Sequence, residues 1–254
     1  MPKLLTTLKL GWKVLRLNLH LVSGVILAHF YLRNGIHKQQ TASAHYLKWN
    51  RGVCNIFHAT ISTHGSMQSE ATLYVMNHIS WFDIPVLASQ QPLHFLSKAE
   101  VKSWPLIGWL ADRAGTLFIQ RGRHGAAQQS LEEITGCLQS GGSVVIFPEG
   151  TTTDGKNVRK FHGRLLQAAI DAQVKIQPIA LRYPHKQGVN PNVPYIGEMT
   201  FMDSLLGLTR ANPLDVELYF LPPIDSHLDA TTETSNKQLT ELSRSAIAKQ
   251  LGIN

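Results

Sequence analysis

Cysteine is scarce in this chain: two residues in 254, Cys54 and Cys137. They stand far apart and lack metal-ligand spacing, so neither a disulfide framework nor a thiolate metal site is indicated. Both read as small core residues in a reducing compartment. No segment repeats, which removes solenoids and propellers, and no low-complexity tract occurs. Zinc-finger and RNP-type signatures are missing and the basic residues form no single block, so nucleic acid is not expected as a partner. No Ser or Cys sits in a nucleophile-elbow sequence, which argues against a covalent intermediate. No small-residue cleavage site follows the first apolar run, so a secretory signal peptide is not expected.

The charge present is lopsided: a formal net charge of +7 and a pI near 9.5. That points to an anionic partner, either a membrane surface or a phosphorylated substrate. The length suits one α/β domain with appendages. Leu17 to Leu32 carries no formal charge and is preceded by Lys3, Lys9, Lys13 and Arg16. Basic residues before an apolar run are what an interfacial anchor needs, although the run is shorter than the roughly 20 residues of a full span. A helix packed on the protein's own core is the other reading. A second helix, about Ala42 to Thr63, has apolar residues at three- and four-residue steps and is able to pair with the first as a hairpin. Residues 1–65 are therefore expected as an N-terminal helical membrane-associating segment and 66–254 as the main domain.

The chain is organised around Leu73 to Pro85. A β-rich apolar run, Leu73-Tyr74-Val75-Met76, stops at the polar pair Asn77-His78. Ser80 with Asp83 reads as a capping-box variant opening a helix, with Asp83 the other candidate cap. His78 then closes a strand and Asp83 begins a helix. In one continuous helix five residues would turn the two side chains to different faces. Across a strand–loop–helix junction the carboxylate can hold one ring nitrogen as a donor and leave the other free to take a proton. The plain alternative is a capping Asp beside an unrelated surface His.

Further along, His94–Leu96 reads as a strand and Trp104 to Leu110 as an apolar helix. Gly115–Ile119 is a strand with Arg121 at its carboxyl edge, where open α/β sheets place ligand groups. Arg121 has the planar fork that suits phosphate. Gln128 to Gln139 is an amphipathic helix. Ser143 to Phe147 is a buried strand that ends in Pro148-Glu149-Gly150-Thr151-Thr152-Thr153. Glu149 there is able to bind an acceptor's hydroxyls, or to serve as a structural partner for a base such as Arg121. Phe161 to Ala172 is expected as a helix, Ile176–Leu181, Val193–Ile196 and Val216–Phe220 as strands, and Thr231 to Gln250 as a closing helix.

Four of these motifs occur together in the order and spacing of the glycerolipid acyltransferases: Asn77-His78-x4-Asp83, Phe118-Ile119-Gln120-Arg121, Phe147-Pro148-Glu149-Gly150-Thr151 and Ile176-Gln177-Pro178-Ile179-Ala180. Over about Ala71 to Leu181 the chain resembles the bacterial 1-acylglycerol-3-phosphate acyltransferase group. The resemblance implies an α/β fold, mixed but with a largely parallel central sheet flanked by helices. It implies His78 as general base with Asp83 orienting it. Arg121, Glu149, Gly150 and Thr151, with Asn77 and Thr152 counted beside them, would shape the acceptor's polar-head site. No metal and no cofactor beyond an acyl-CoA or acyl-carrier-protein co-substrate is implied. The partners would be membrane lipids at the cytoplasmic face of the cell membrane. Direct transfer is expected, with the oxyanion met by backbone N–H groups at the helix start after His78. The leading acceptor is lysophosphatidic acid. One departure makes another lysolipid, such as lyso-ornithine lipid, the runner-up: where relatives using lysophosphatidic acid have Arg after the Gly-Thr of the third motif, this chain has Thr152; a lipid-binding protein without turnover is the alternative outside the class. Lys156, Arg159 and Lys160 are the nearby cations able to substitute.

Overall fold

The strand carrying the first motif, β2 (Thr72–Met76), has all five residues buried. A strand that hides both faces must lie inside a sheet covered on both sides. The period of two divides its side chains: Tyr74 and Met76 join one hydrophobic core, Leu73 and Val75 the other. The computed structural model describes residues 2–32, 36, 40–119, 125–186, 188–211, 213–226 and 232–253.

The chain begins with two helices, α1 (Pro2–Tyr31) and α2 (Gln40–Ile56), followed by β1 (Ala59–His64) and β2. Then come α3 (Asp83–Ala88), β3 (His94–Lys98), α4 (Ala99–Lys102), α5 (Ile107–Arg113), β4 (Leu117–Ile119), α6 (Ala126–Gln139) and β5 (Val144–Ile146). A 3-10 turn at Gly163–Leu166 leads into α7 (Gln167–Asp171) and β6 (Lys175–Arg182). The short ribbon β7 (Pro184–His185) and β8 (Gly188–Val189), then α8 (Phe201–Arg210), β9 (Leu214–Phe220) and α9 (Thr232–Leu251) complete it. The seven-stranded sheet runs β1-β9-β6-β2-β5-β3-β4. Its pairs are parallel except β6 with β9. The expected mixed, largely parallel α/β architecture is the one observed. Residues of α2, α3 and α8 fill the core on one face, and residues of α6, α7 and α9 fill the other.

The helical hairpin forms. His20 of α1 stacks on Trp49 of α2, with ring centroids 5.0 Å apart. His20 Nε2 lies 2.8 Å from the Trp49 carbonyl, and Trp49 Nε1 donates to the His20 carbonyl at 3.0 Å. Gly24 is where α1 lets the Trp49 ring approach, since a Cβ there would sit 2.7 Å from Nε1. The opposite side of α1 is an exposed apolar stripe that includes Trp12, Leu19, Ile26 and Phe30. Gly11–Tyr31 is, by length and composition, long and apolar enough to cross a membrane.

Four expectations need correcting. The second helix stops at Ile56, not Thr63. His58 takes a positive φ of 56°, and residues 59–64 join the sheet beside β9. Thr60, Ile61 and Thr63 are β-branched, and a partner strand 155 positions away decides their state (Ala59 faces Leu214). The sheet thus begins before residue 65. The apolar helix near Trp104 is shifted to Ile107–Arg113, after Pro105 and a positive φ at Leu106. Phe161–Ala172 opens as a 3-10 turn instead of an α-helix. Val193–Ile196 is not a strand: Tyr195 N–H donates to the Ile79 carbonyl, which ties this segment to the loop after β2 instead of to the sheet.

Candidate active site

β2 ends one residue before Asn77, and the loop that follows is fixed atom by atom. The Asn77 amide donates to the Leu181 carbonyl at 2.9 Å and accepts from the Leu181 N–H at 2.8 Å, reaching across to β6. It is buried and faces the neighbouring strand, so the expected role at the acceptor's head does not fit its geometry. Asn77→Ala strands two buried backbone groups, and a loss of about 2–4 kcal/mol is expected. Chemical denaturation should show it, while the acceptor KM of the folded fraction stays near wild type.

His78 is held by its backbone. Its N–H donates to Glu149 Oε1 at 2.9 Å, and its carbonyl accepts from the Thr153 N–H at 2.8 Å. The imidazole stacks on Phe147, with centroids 3.9 Å apart and planes 17° from parallel. Nδ1 lies 2.8 Å from Asp83 Oδ2. That same oxygen accepts the N–H groups of Ile79 at 2.7 Å and Ser80 at 3.0 Å, and Oδ1 accepts the Tyr183 hydroxyl at 2.7 Å. A carboxylate offers only lone pairs, so the proton of the neutral ring sits on Nδ1 and Nε2 keeps its lone pair. The Asp83 side chain is wholly buried while that of His78 stays 16% exposed. This is the oriented-base arrangement, not a cap beside an unrelated His. The capping box is only half formed, because Asp83 takes the Ser80 N–H while the Ser80 hydroxyl is buried without a partner among the described residues. The expected oxyanion donors are also partly spent, since the Ile79 and Ser80 N–H groups point at Asp83.

Tyr183, one residue past β6, was not foreseen. Its only signal is position, at the end of the strand that carries the fourth motif. Burial and the Asp83 carboxylate push its hydroxyl well above the ordinary tyrosine range, so it stays a donor.

Glu149 is 4% exposed. Beside the His78 N–H it accepts the Arg159 N–H at 2.9 Å through its other oxygen. Burial raises its pKa, and these two N–H groups and His78 work in the opposite direction. Both oxygens therefore hold loop backbone, which makes Glu149 a clamp that sets His78 in place. Gly150 adopts φ 72°, a conformation side chains resist. Thr152 donates its hydroxyl to the Tyr195 carbonyl, so it fastens the 195 segment. Arg121 lies outside the described residues.

These groups border a hollow of about 1060 Å³. His78, Glu149, Gly150, Thr151 and Thr152 line it. Leu17, Leu21 and Leu27 of α1 and Val53 of α2 close an apolar side, Lys98, Arg159 and Arg164 form a cationic rim, and His162 also borders the space. Of the three cations considered as substitutes, only Arg159 borders it. Such a space takes an oily chain and an anionic or polar head together. Among the described residues no three His, Cys, Asp or Glu side chains converge as metal ligands would.

Comparison with known proteins agrees. The family model for acyltransferases matches residues 58–182. A lyso-ornithine lipid O-acyltransferase of Pseudomonas aeruginosa is 41% identical over 178 residues, covering 70% of this chain and 69% of the relative. A 1-acyl-sn-glycerol-3-phosphate acyltransferase of Neisseria gonorrhoeae is 29% identical over 181 residues, covering 71% of each. The crystal structure of the 1-acyl-sn-glycerophosphate acyltransferase PlsC of Thermotoga maritima shares the fold, with a TM-score of 0.72 at 18% identity over 98% of both chains. The chain belongs to the glycerolipid acyltransferase family. It is an acyltransferase of the lysophospholipid type.

Proposed function

We propose that this protein moves a fatty acyl group from a thioester to the free hydroxyl of a lyso-ornithine-type lipid at a membrane surface. The observation that carries the reaction is the His78–Asp83 pair opening on a lipid-sized apolar hollow. His78 Nε2 takes the hydroxyl proton as the lysolipid oxygen attacks the thioester carbonyl. The new ester forms as the C–S bond breaks, and the imidazolium returns the proton to the departing thiolate. Asp83 steadies the transient positive ring. The exposed stripe of α1 would lie in lipid, bringing the apolar side of the hollow to the bilayer.

Thr152 supports the choice of acceptor. Its hydroxyl is occupied by Tyr195 and supplies no phosphate-pairing charge, and the 41% identical relative bears the lyso-ornithine name. On these grounds we favour lyso-ornithine lipid over lysophosphatidic acid, which the motifs alone put first. Lysophosphatidic acid is the second reading, favoured by the cationic rim of Lys98, Arg159 and Arg164. The test is thiol release from an acyl thioester against a panel of lysolipids. One missing charge-assisted bond is worth about 1.5–3 kcal/mol, so kcat/KM for lyso-ornithine lipid should exceed that for lysophosphatidic acid by roughly ten- to a hundredfold. Equal or reversed preference removes the acceptor assignment. Release without any acceptor would make the protein a thioester hydrolase.

A further inference from the structure

A second hollow, of about 670 Å³, lies behind the wall of the first. Residues 159–164 are the partition. Arg159, His162 and Arg164 border the catalytic hollow, while Lys160, Phe161, Gly163 and again Arg164 border the second. Lys237, Thr240 and Arg244 of α9 form much of the remainder. Four cations, Lys160, Arg164, Lys237 and Arg244, meet one carboxylate, Glu241, leaving three positive charges over. Glu241 stands 3.8 Å from Arg244 and accepts the Ser245 hydroxyl. Among the described residues Lys160, Arg164 and Lys237 pair with no carboxylate. Like charges gathered round a hollow repel one another unless an anion fills it.

The groove is wired to the catalytic base. Arg244 donates to the carbonyls of Val158 and Arg159 at 3.1 and 3.2 Å. The N–H of Arg159 holds Glu149, and Glu149 holds the N–H of His78. Arg164, bordering both hollows, marks where they meet.

The geometry points to this groove as the seat of the phosphates of a nucleotide-bearing acyl donor, the 3′-phosphoadenosine diphosphate of an acyl-coenzyme A. The inference rests on the acyl-transfer reading above and adds the donor to it. Lys and Arg side chains around a concave space are what a cluster of phosphates requires. The volume lies within the range of small-ligand sites. The pantetheine arm would pass Arg164 and bring the thioester to His78 while the acyl chain enters the apolar hollow. The acceptor's head has to sit beside the hydroxyl at Nε2, on the other side of the partition, so of these cations the two substrates share only Arg164.

The test is the full-length double variant Lys160→Glu, Lys237→Glu, which leaves Arg244, Arg164 and the base untouched. Steady-state thiol release is measured with one acyl group carried on coenzyme A, on pantetheine and on acyl-carrier protein. The expected result is a rise of about tenfold or more in KM for acyl-CoA, with kcat and the acyl-pantetheine reaction unchanged. The salt dependence of KM for acyl-CoA should become shallower. Adenosine 3′,5′-bisphosphate should bind the wild-type protein in calorimetry and not the variant, a readout that needs no turnover and so separates this proposal from the acyl-transfer reading. An unchanged KM for acyl-CoA, an equal change for acyl-pantetheine, or a change confined to acyl-carrier protein would each overturn it.

Discussion

His78→Ala is expected to lower kcat for lysolipid acylation by about 10²–10⁴ with little change in either KM. The ring supplies the base but little of the binding surface, since the hollow is walled mainly by α1, α2, the stretch from β3 through α5 and the loop after β5. The scaffold should survive the change. The bonds with Glu149 and Thr153 involve the His78 backbone, which alanine retains; the stacking on Phe147 and the Nδ1 bond to Asp83 are lost, and Asp83 Oδ2 keeps the Ile79 and Ser80 N–H groups. Thiol release in the presence of saturating lysolipid measures the rate, and an unfolding curve confirms that the fold persists. A variant that keeps more than a tenth of wild-type kcat would remove the imidazole from the mechanism.

The second large effect is at Asp83, where two substitutions should separate. Asp83→Ala leaves four buried donors without an acceptor: His78 Nδ1, the N–H groups of Ile79 and Ser80, and the Tyr183 hydroxyl. Stability is expected to fall by about 3–6 kcal/mol, enough to unfold much of a marginal domain. Asp83→Asn is predicted to stay folded. Three donors converge where Oδ2 stands, so an asparagine must turn its carbonyl there and its NH₂ toward Tyr183, whose hydroxyl can rotate and accept. The imidazole then keeps the Nδ1 proton and only the charge is missing. In the Ser-His-Asp template, where the same change also gives the wrong tautomer, the cost is about 10⁴. Here a smaller loss in kcat, on the order of 10²–10³, should result. Thermal melts beside kinetics distinguish the two variants, and equal instability of both would contradict this assignment of the donors.

The parts of this architecture legible in the sequence are those decided locally. β2 and β5 are unbroken apolar runs, and a strand buried on both faces writes itself in that way. His78 and Asp83 stand out because they are polar residues between such a run and Pro85. Most of what was missed depends on distant partners. β1 is a strand because β9 lies beside it. Tyr183 reaches Asp83 from 100 positions away. The division of labour between Asn77 and Glu149, backbone clamps and not open ligand groups, follows from which neighbours β6 and the 159 loop present to them. α8 carried a readable signal, since Thr200 and Asp203 form a complete capping box that pattern reading passed over.

The fourfold-filled carboxyl group at position 83 also bears on how such a chain can change with time. At position 78 chemistry and architecture are separable, so one substitution can silence the enzyme and leave a stable lipid-binding shell. At position 83 they are not: most replacements would cost abundance and turnover together. Inert descendants of this protein should therefore be found with the imidazole gone and the aspartate still in place.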